Sequence, residues 1–141
     1  MIVVDTNVIS EPLRKGHEQR VRDWLNRQAP ETLYLSAVTV AELTLGVELL
    51  SDGRRKDDLR GAVRSLIAET FRGRVLAFDG AVAQAYASLV ADARMRGRSI
   101  SFADGQIAAT ASHHSFAVAT RDTSPFEACG LTVINPWTAE P

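Results

Sequence analysis

Short apolar runs alternate along the chain with longer stretches in which apolar residues return every three or four positions. Met1 to Val4 is the first run, rich in β-branched side chains and closed abruptly by Asp5, the pattern of a strand buried on both faces. A helix is expected to start at Asp5 or Thr6. His17 to Gln28 carries Val21, Trp24 and Leu25 at helical spacing until Ala29-Pro30 stops it, and Leu33 to Leu35 reads as a second strand. VTVAELTLGVELL then predicts a helix that is apolar nearly all round. Arg54 to Phe71 repeats the helical period, Val75 to Phe78 predicts a third strand, and Ala81 to Arg96 another helix with Gly97 as its C-cap. Ser101 to Ser112 is a further helix, with strands at Phe116 to Ala119 and Leu131 to Ile134.

Strands and helices in this alternation predict an α/β fold with a mainly parallel sheet covered on both faces. Strand order is not readable from the pattern. The length, 141 residues with 45% apolar and 23% charged, fits one domain over residues 1–141 and leaves no room for a second. Residues 136–141, with two prolines counting the one that ends the chain, are expected to be a short C-terminal tail. A net charge of -1 supplies no general attraction to nucleic acid or acidic lipid, so an anionic substrate would have to be held locally. Cys129 is the sole cysteine, which excludes an internal disulfide and a cysteine-clustered zinc site. The opening MIVVDTNVIS lacks the basic and long apolar regions of a secretory signal, and no run is long enough to span a bilayer. A soluble cytoplasmic protein is the expectation.

Isolated carboxylates change this picture most. Asp5 ends a strand, Glu42 is the only formal charge between Glu31 and Glu48, and Asp104 is the only one between Arg98 and Arg121. An ionised carboxylate in apolar surroundings needs a cation, several donors, or a proton. Asp122 follows the strand FAVA through Thr120 and Arg121. In parallel α/β sheets ligands bind beyond the carboxyl ends of the strands, where the following helices begin, so all four groups can share one edge. Asp5 and Asp122 would hang from strand ends, with Glu42 and Asp104 in the first turns of their helices. Oxygen ligands without Cys or His partners suit Mg2+ or Mn2+, and such an ion suits phosphodiester chemistry by activated water.

Each position also has a plainer explanation. Thr39-Val40-Ala41-Glu42 and Ser101-Phe102-Ala103-Asp104 both match a capping box, Asp5 could be only an N-cap, and Arg121-Asp122-Thr123-Ser124-Pro125 is a good turn sequence. Thr6, Asn7 and Thr120 lie beside the acidic positions and are candidates to orient a ligand or substrate, or ordinary turn polarity. Arg94, Arg96 and Arg98 form a basic cluster that would suit either RNA phosphates or a solvated helix end. Arg54-Arg55-Lys56-Asp57-Asp58 reads as an exposed helix start, and His113 and His114 as a helix's last turn. The apolar surface around Trp24, Leu45 and Leu49 reads as core.

With VVDTNVIS at the start, TVAEL around Glu42, SFADGQIAATA around Asp104 and ATRD at Thr120 to Asp122, the sequence closely resembles the PIN-domain ribonucleases, and among them the VapC-type toxins of bacterial toxin-antitoxin modules. The ending LTVINPW resembles the FitB-like branch. The resemblance spans essentially the whole chain. It implies a three-layer α/β/α sandwich with a central parallel sheet, and an acidic triad of Asp5, Glu42 and Asp104 that holds Mg2+ or Mn2+. Asp122 would be the fourth, variable acidic position, where the FitB-like branch often has Asn. The resemblance further implies an endoribonuclease that leaves a 5′-phosphate and a 3′-hydroxyl, a homodimer or larger assembly, and a cognate antitoxin that covers the active-site groove, where part of the surface around Trp24, Leu45 and Leu49 would then lie. Two rivals are a PIN-like module that binds RNA or a partner without cleaving, and a Mg2+-binding phosphoacceptor domain. The second lacks an acidic pair after the first strand and any lysine after Lys56.

Overall fold

The computed structural model describes residues 1–140. Five strands, β1 (Ile2–Val4), β2 (Leu33–Ser36), β3 (Val75–Leu76), β4 (Ala117–Ala119) and β5 (Val133–Ile134), form one sheet in the order β3-β2-β1-β4-β5. Every neighbouring pair is parallel, with Val3 opposite Tyr34 on one side and Val118 on the other. The chain winds outward from β1 through β2 to β3, then returns to the far side of β1 for β4 and β5. The direction of winding therefore reverses between β1 and β4, and at such a switch point the connections diverge and leave a crevice at the carboxyl edge.

Alternation along the strands divides the core in two. Val4 and Ala119 face one layer, made of α1 (Thr6–Ser10), α2 (Gln19–Arg27), α3 (Ala37–Glu48) and α4 (Arg54–Ser65). Val3 and Val118 face the other, made of α5 (Gly80–Met95), α6 (Phe102–His114) and α7 (Ser124–Ala128). Both valines of β1 are completely buried, as the unbroken apolar run requires. The result is a three-layer α/β/α sandwich. No described helix is long and apolar enough to cross a membrane.

Several expectations are corrected. The segment Arg121 to Pro125, which also suited a turn, is irregular only as far as Thr123; α7 starts at Ser124, with Pro125 in its first turn, where a missing N–H is no loss. Phe126 of that helix is fully buried in the second core layer. The short segment after β5 is held to the domain over residues 135–139: Thr138 and Ala139 donate backbone N–H groups to Asn135 O, and Trp137 packs against the first core layer. Trp24 is core as expected, but Leu45 and Leu49 are exposed on the outer side of α3.

The basic start of α4 is not wholly solvated either. Lys56 is buried, and its Nζ donates to Glu48 O at 3.0 Å and to Asp52 Oδ1 at 3.4 Å. Asp52 is fully exposed, so solvent screens that ion pair and the contact with the last turn of α3 matters more. Lys56→Met keeps the apolar stem and removes the donor. It is expected to lower unfolding free energy by about 1–2 kcal/mol, read as a lower urea midpoint at unchanged slope.

Candidate functional site

Asp5 sits where the crevice opens. β1 ends at Val4, and the Asp5 N–H donates to Ala119 O of β4 at 2.9 Å, which carries the ladder one residue past the strand. The residue then caps α1: its Oδ1 accepts the Thr6 N–H at 2.7 Å. Its other oxygen, Oδ2, accepts the hydroxyl of Thr120 at 2.7 Å. Thr120 is the first residue after β4 and is completely buried. Asp5 and Thr120 thus meet across the switch point although 115 positions separate them in the chain.

The Thr120 hydroxyl has a defined direction. Its oxygen accepts from Asp122 N at 3.2 Å and, at a longer 3.4 Å, from Asn7 Nδ2. With both lone pairs so occupied, its own proton is left for Asp5. Asn7 closes the arrangement through its Oδ1, which accepts the Arg121 N–H at 3.2 Å. Asn7 therefore ties the first turn of α1 to the loop after β4. The three polar neighbours singled out in the sequence, Thr6, Asn7 and Thr120, all contact the cluster.

Glu42 arrives from α3. Ser36, the last residue of β2, caps this helix by accepting the Thr39 N–H at 3.0 Å, so Thr39 is not the cap and Glu42 lies in the second turn. Capping does not explain Glu42. Its side chain is exposed rather than buried, and its Oε1 accepts the Thr6 hydroxyl at 2.7 Å. Asp104 is the third residue of α6, where Ser101 Oγ accepts its backbone N–H at 3.1 Å. That is half of the expected capping box, and the Asp104 side chain is only partly buried. Asp122 is exposed on the loop between β4 and α7.

Burial pushes the Asp5 carboxyl above its ordinary range, against the opposing pull of the Thr120 and Thr6 hydrogen bonds. The negative charges of Asp104 and Glu42 push it the same way, more weakly than burial does. Among the described residues no three His, Cys, Asp or Glu side chains are already drawn in to one point as a finished metal site. The donor set nevertheless fits a hard divalent cation: all donors are oxygens, one carboxylate is buried without a cation, and two more lie nearby on separate elements.

The basic cluster before α6 is largely engaged. Arg96 donates to Ala128 O at 2.6 Å and Arg98 to Ser124 Oγ at 2.9 Å, so both tie the α5–α6 loop to α7. Two neighbours of the carboxylates escaped the sequence reading. Arg121 places its guanidinium 5.2 Å from the centre of the Trp137 ring, and Phe102, two residues before Asp104, is exposed. Adjacency to Asp122 and Asp104 was the only signal available for either. Beside Thr6 and Glu42 runs a groove of about 290 Å³ floored by Leu43, Val47, Leu59 and Val63. A cavity of about 480 Å³ opens at the opposite sheet edge between Met1, Phe116 and Leu131, and no carboxylate lines it.

Comparison with known proteins follows the same outline. Residues 2–130 match the family model described as PIN domain. Toxin FitB of Neisseria gonorrhoeae is 51% identical over 137 residues, which cover 97% of this chain and 99% of that protein. VapC ribonuclease Y4jK of Sinorhizobium fredii is 50% identical over 137 residues, covering 97% and 98%. A solved structure of FitAB bound to an IR36 DNA fragment contains a chain that superposes with a TM-score of 0.96 at 50% identity, covering 100% of this chain and 99% of that one.

Proposed function

The chain belongs to the PIN-domain family, and from that premise we propose that it is a toxin acting as a Mg2+- or Mn2+-dependent endoribonuclease, held in check by a cognate antitoxin. The observation that carries this reading is Asp5, a carboxylate buried at the sheet's switch point without a cation and linked through Thr6 to Glu42. Asp5, Glu42 and Asp104 would hold the ion, with Asp122 as a further ligand from the neighbouring loop. The bound ion supplies an activated water and offsets the charge that builds on a phosphoryl group.

The protein's own groups have separate tasks. Thr120 keeps Asp5 a hydrogen-bond acceptor, Thr6 bridges Asp5 to Glu42, and Asn7 holds the loop that carries Asp122. Hydrolysis would leave a 5′-phosphate and a 3′-hydroxyl on the RNA.

The groove beside Thr6 and Glu42 suits an apolar segment of the antitoxin, whose charged end could reach the carboxylates. The exposed Leu45 and Leu49 favour association with a further chain, and a homodimer is the simplest assembly. DNA binding by the assembled complex would fall to the antitoxin, because this chain carries a net charge of -1. We place the protein in the cytoplasm.

The test is incubation of antitoxin-free protein with a broad pool of structured RNA in Mg2+ or Mn2+, against EDTA and a folded Asp104→Asn variant. Cleavage is expected only with metal and Asp104 together, and 5′-end analysis should find phosphate. Metal binding with every RNA left intact would favour the non-cleaving module instead.

A further inference from the structure

Phe102 is the first residue of α6, two positions before Asp104, and 64% of it is exposed. A single exposed aromatic ring is ordinary on a protein surface. This one is different in how it is supported. Its ring meets Tyr86 of α5 nearly edge to face, with centroids 5.3 Å apart at 78°, and Tyr86 meets Phe78 in the same way at 6.3 Å and 83°. Three aromatic rings therefore run outward in series, from the loop after β3 across α5 to the start of the helix that bears Asp104.

The support is close-fitting as well as aromatic. Gly105, one turn along α6, is buried, and a Cβ there would lie 2.7 Å from Tyr86 Cε2 and 3.0 Å from Val90 Cγ2. Only a glycine lets α6 approach Tyr86 this closely without displacing it. The Phe102 ring is thus held from behind by Tyr86, while most of its surface faces outward at the start of the helix that bears Asp104. The net charge is -1, and Arg96 and Arg98 of the loop before α6 are engaged with α7. A fixed ring at the start of the Asp104 helix offers a grip that needs no charge.

We propose that Phe102 is the stacking platform for an unpaired nucleobase of the RNA next to the scissile phosphate, a positioning role that rests on the nuclease reading above. Aromatic rings grip single-stranded nucleic acid through the π-face that every base presents, so such a platform aligns the strand without reading its sequence. The contact orders the substrate before reaction, and its loss therefore raises KM more than it lowers kcat.

The experiment pairs a change in the protein with a change in the RNA. Wild type, Phe102→Leu and Phe102→Trp are compared on an RNA that wild type cleaves, and on copies carrying one abasic site at successive positions around the cleaved bond. Folding is followed by circular dichroism and oligomeric state by light scattering. At one position the missing base should weaken cleavage by wild type about 10-fold in kcat/KM, within the range of a lost stacking contact. Phe102→Leu should lose about as much on intact RNA and nothing further on that abasic copy, and Phe102→Trp should behave as wild type. Two results overturn the proposal: independent, multiplying losses at every position, or a changed oligomeric state with the abasic penalty intact, which would make the ring a contact between copies.

Anisotropy of a labelled single-stranded RNA in EDTA provides the arm that needs no cleavage. If wild type cleaves nothing, the nuclease reading fails. Stacking then survives only if Phe102→Leu weakens binding and the abasic RNA shows no further loss.

Discussion

Asp5→Asn is expected to cut metal-dependent RNA cleavage by at least ~1,000-fold and, in the same molecule, to raise the melting temperature of the metal-free protein. The first effect follows from the proposed role of Asp5 as a charged ligand, whose ion would carry several kcal/mol of transition-state stabilisation. The second follows from burial. Asp5 is 5% exposed and has two carboxylates as its electrostatic neighbours, so its ionised form is disfavoured in the folded chain. Its folded pKa is raised above the ordinary 3.8, so the folded chain binds more protons than the unfolded chain between that value and the raised one. Metal-free stability therefore falls as pH climbs through this window, and acidification within it restores what was lost.

Asn removes that dependence but also leaves the Thr120 hydroxyl without its carboxylate acceptor, so the net gain is expected to be only about 1 kcal/mol, roughly 2–4 °C. A divalent cation bound as proposed would offset the same repulsion in wild type. Mg2+ should raise the wild-type melting temperature, by the equivalent of about 2.7 kcal/mol at a hundred times its dissociation constant, and should barely move the variant. Scanning calorimetry with Mg2+ and with EDTA, repeated across the acid range, measures all of this. A metal-free variant less stable than wild type near neutral pH would contradict the electrostatic account.

Phe126→Ala is expected to destabilise the protein by about 3–5 kcal/mol, the usual result of emptying a large fully enclosed aromatic site. For a chain of this size that corresponds to a fall of roughly 10–20 °C. Phe126 is completely buried among Val3, Ile100, Ile107 and Val118, so it binds α7 to the sheet and to α6 together. Equilibrium urea unfolding gives the energy. Hydrogen exchange should locate the loosening in residues 120–128, the segment that carries Thr120 and Asp122. A variant that loses less than about 1 kcal/mol would mean that α7 is not anchored by this ring.

How far these features were legible differs from element to element. The five strands and six longer or well-capped helices announce themselves through apolar runs and helical spacing, because each must bury a defined face and a buried face leaves a period in the residues. α7 leaves none. SPFEA holds one large apolar residue in five positions, too short for a helical period to show, and Pro125 reads equally well as a turn or as a first helical turn. The tail was obscured in the same way, since Trp137 meets its packing partners only after the sheet has formed.

The candidate site divides similarly. Asp5, Glu42 and Asp104 stand out as lone charges in apolar stretches, and chemistry alone marks such residues as needing a partner. Their environments were not readable: Glu42 proves exposed and one turn deeper into its helix, because the helix starts at a cap on Ser36 rather than on Thr39. Lys56 stands among charges typical of a solvated helix start, yet it is buried against the end of α3.

What the sequence determined by itself is the set of elements and the residue types available for chemistry, since both follow from local composition and spacing. What only the tertiary structure decided is which of them meet. The contacts of Thr120 with Asp5, of Thr6 with Glu42, and of Phe102 with Tyr86 depend on strand order and helix packing, and those are set by the joint burial of surfaces far apart in the chain, which no local pattern records.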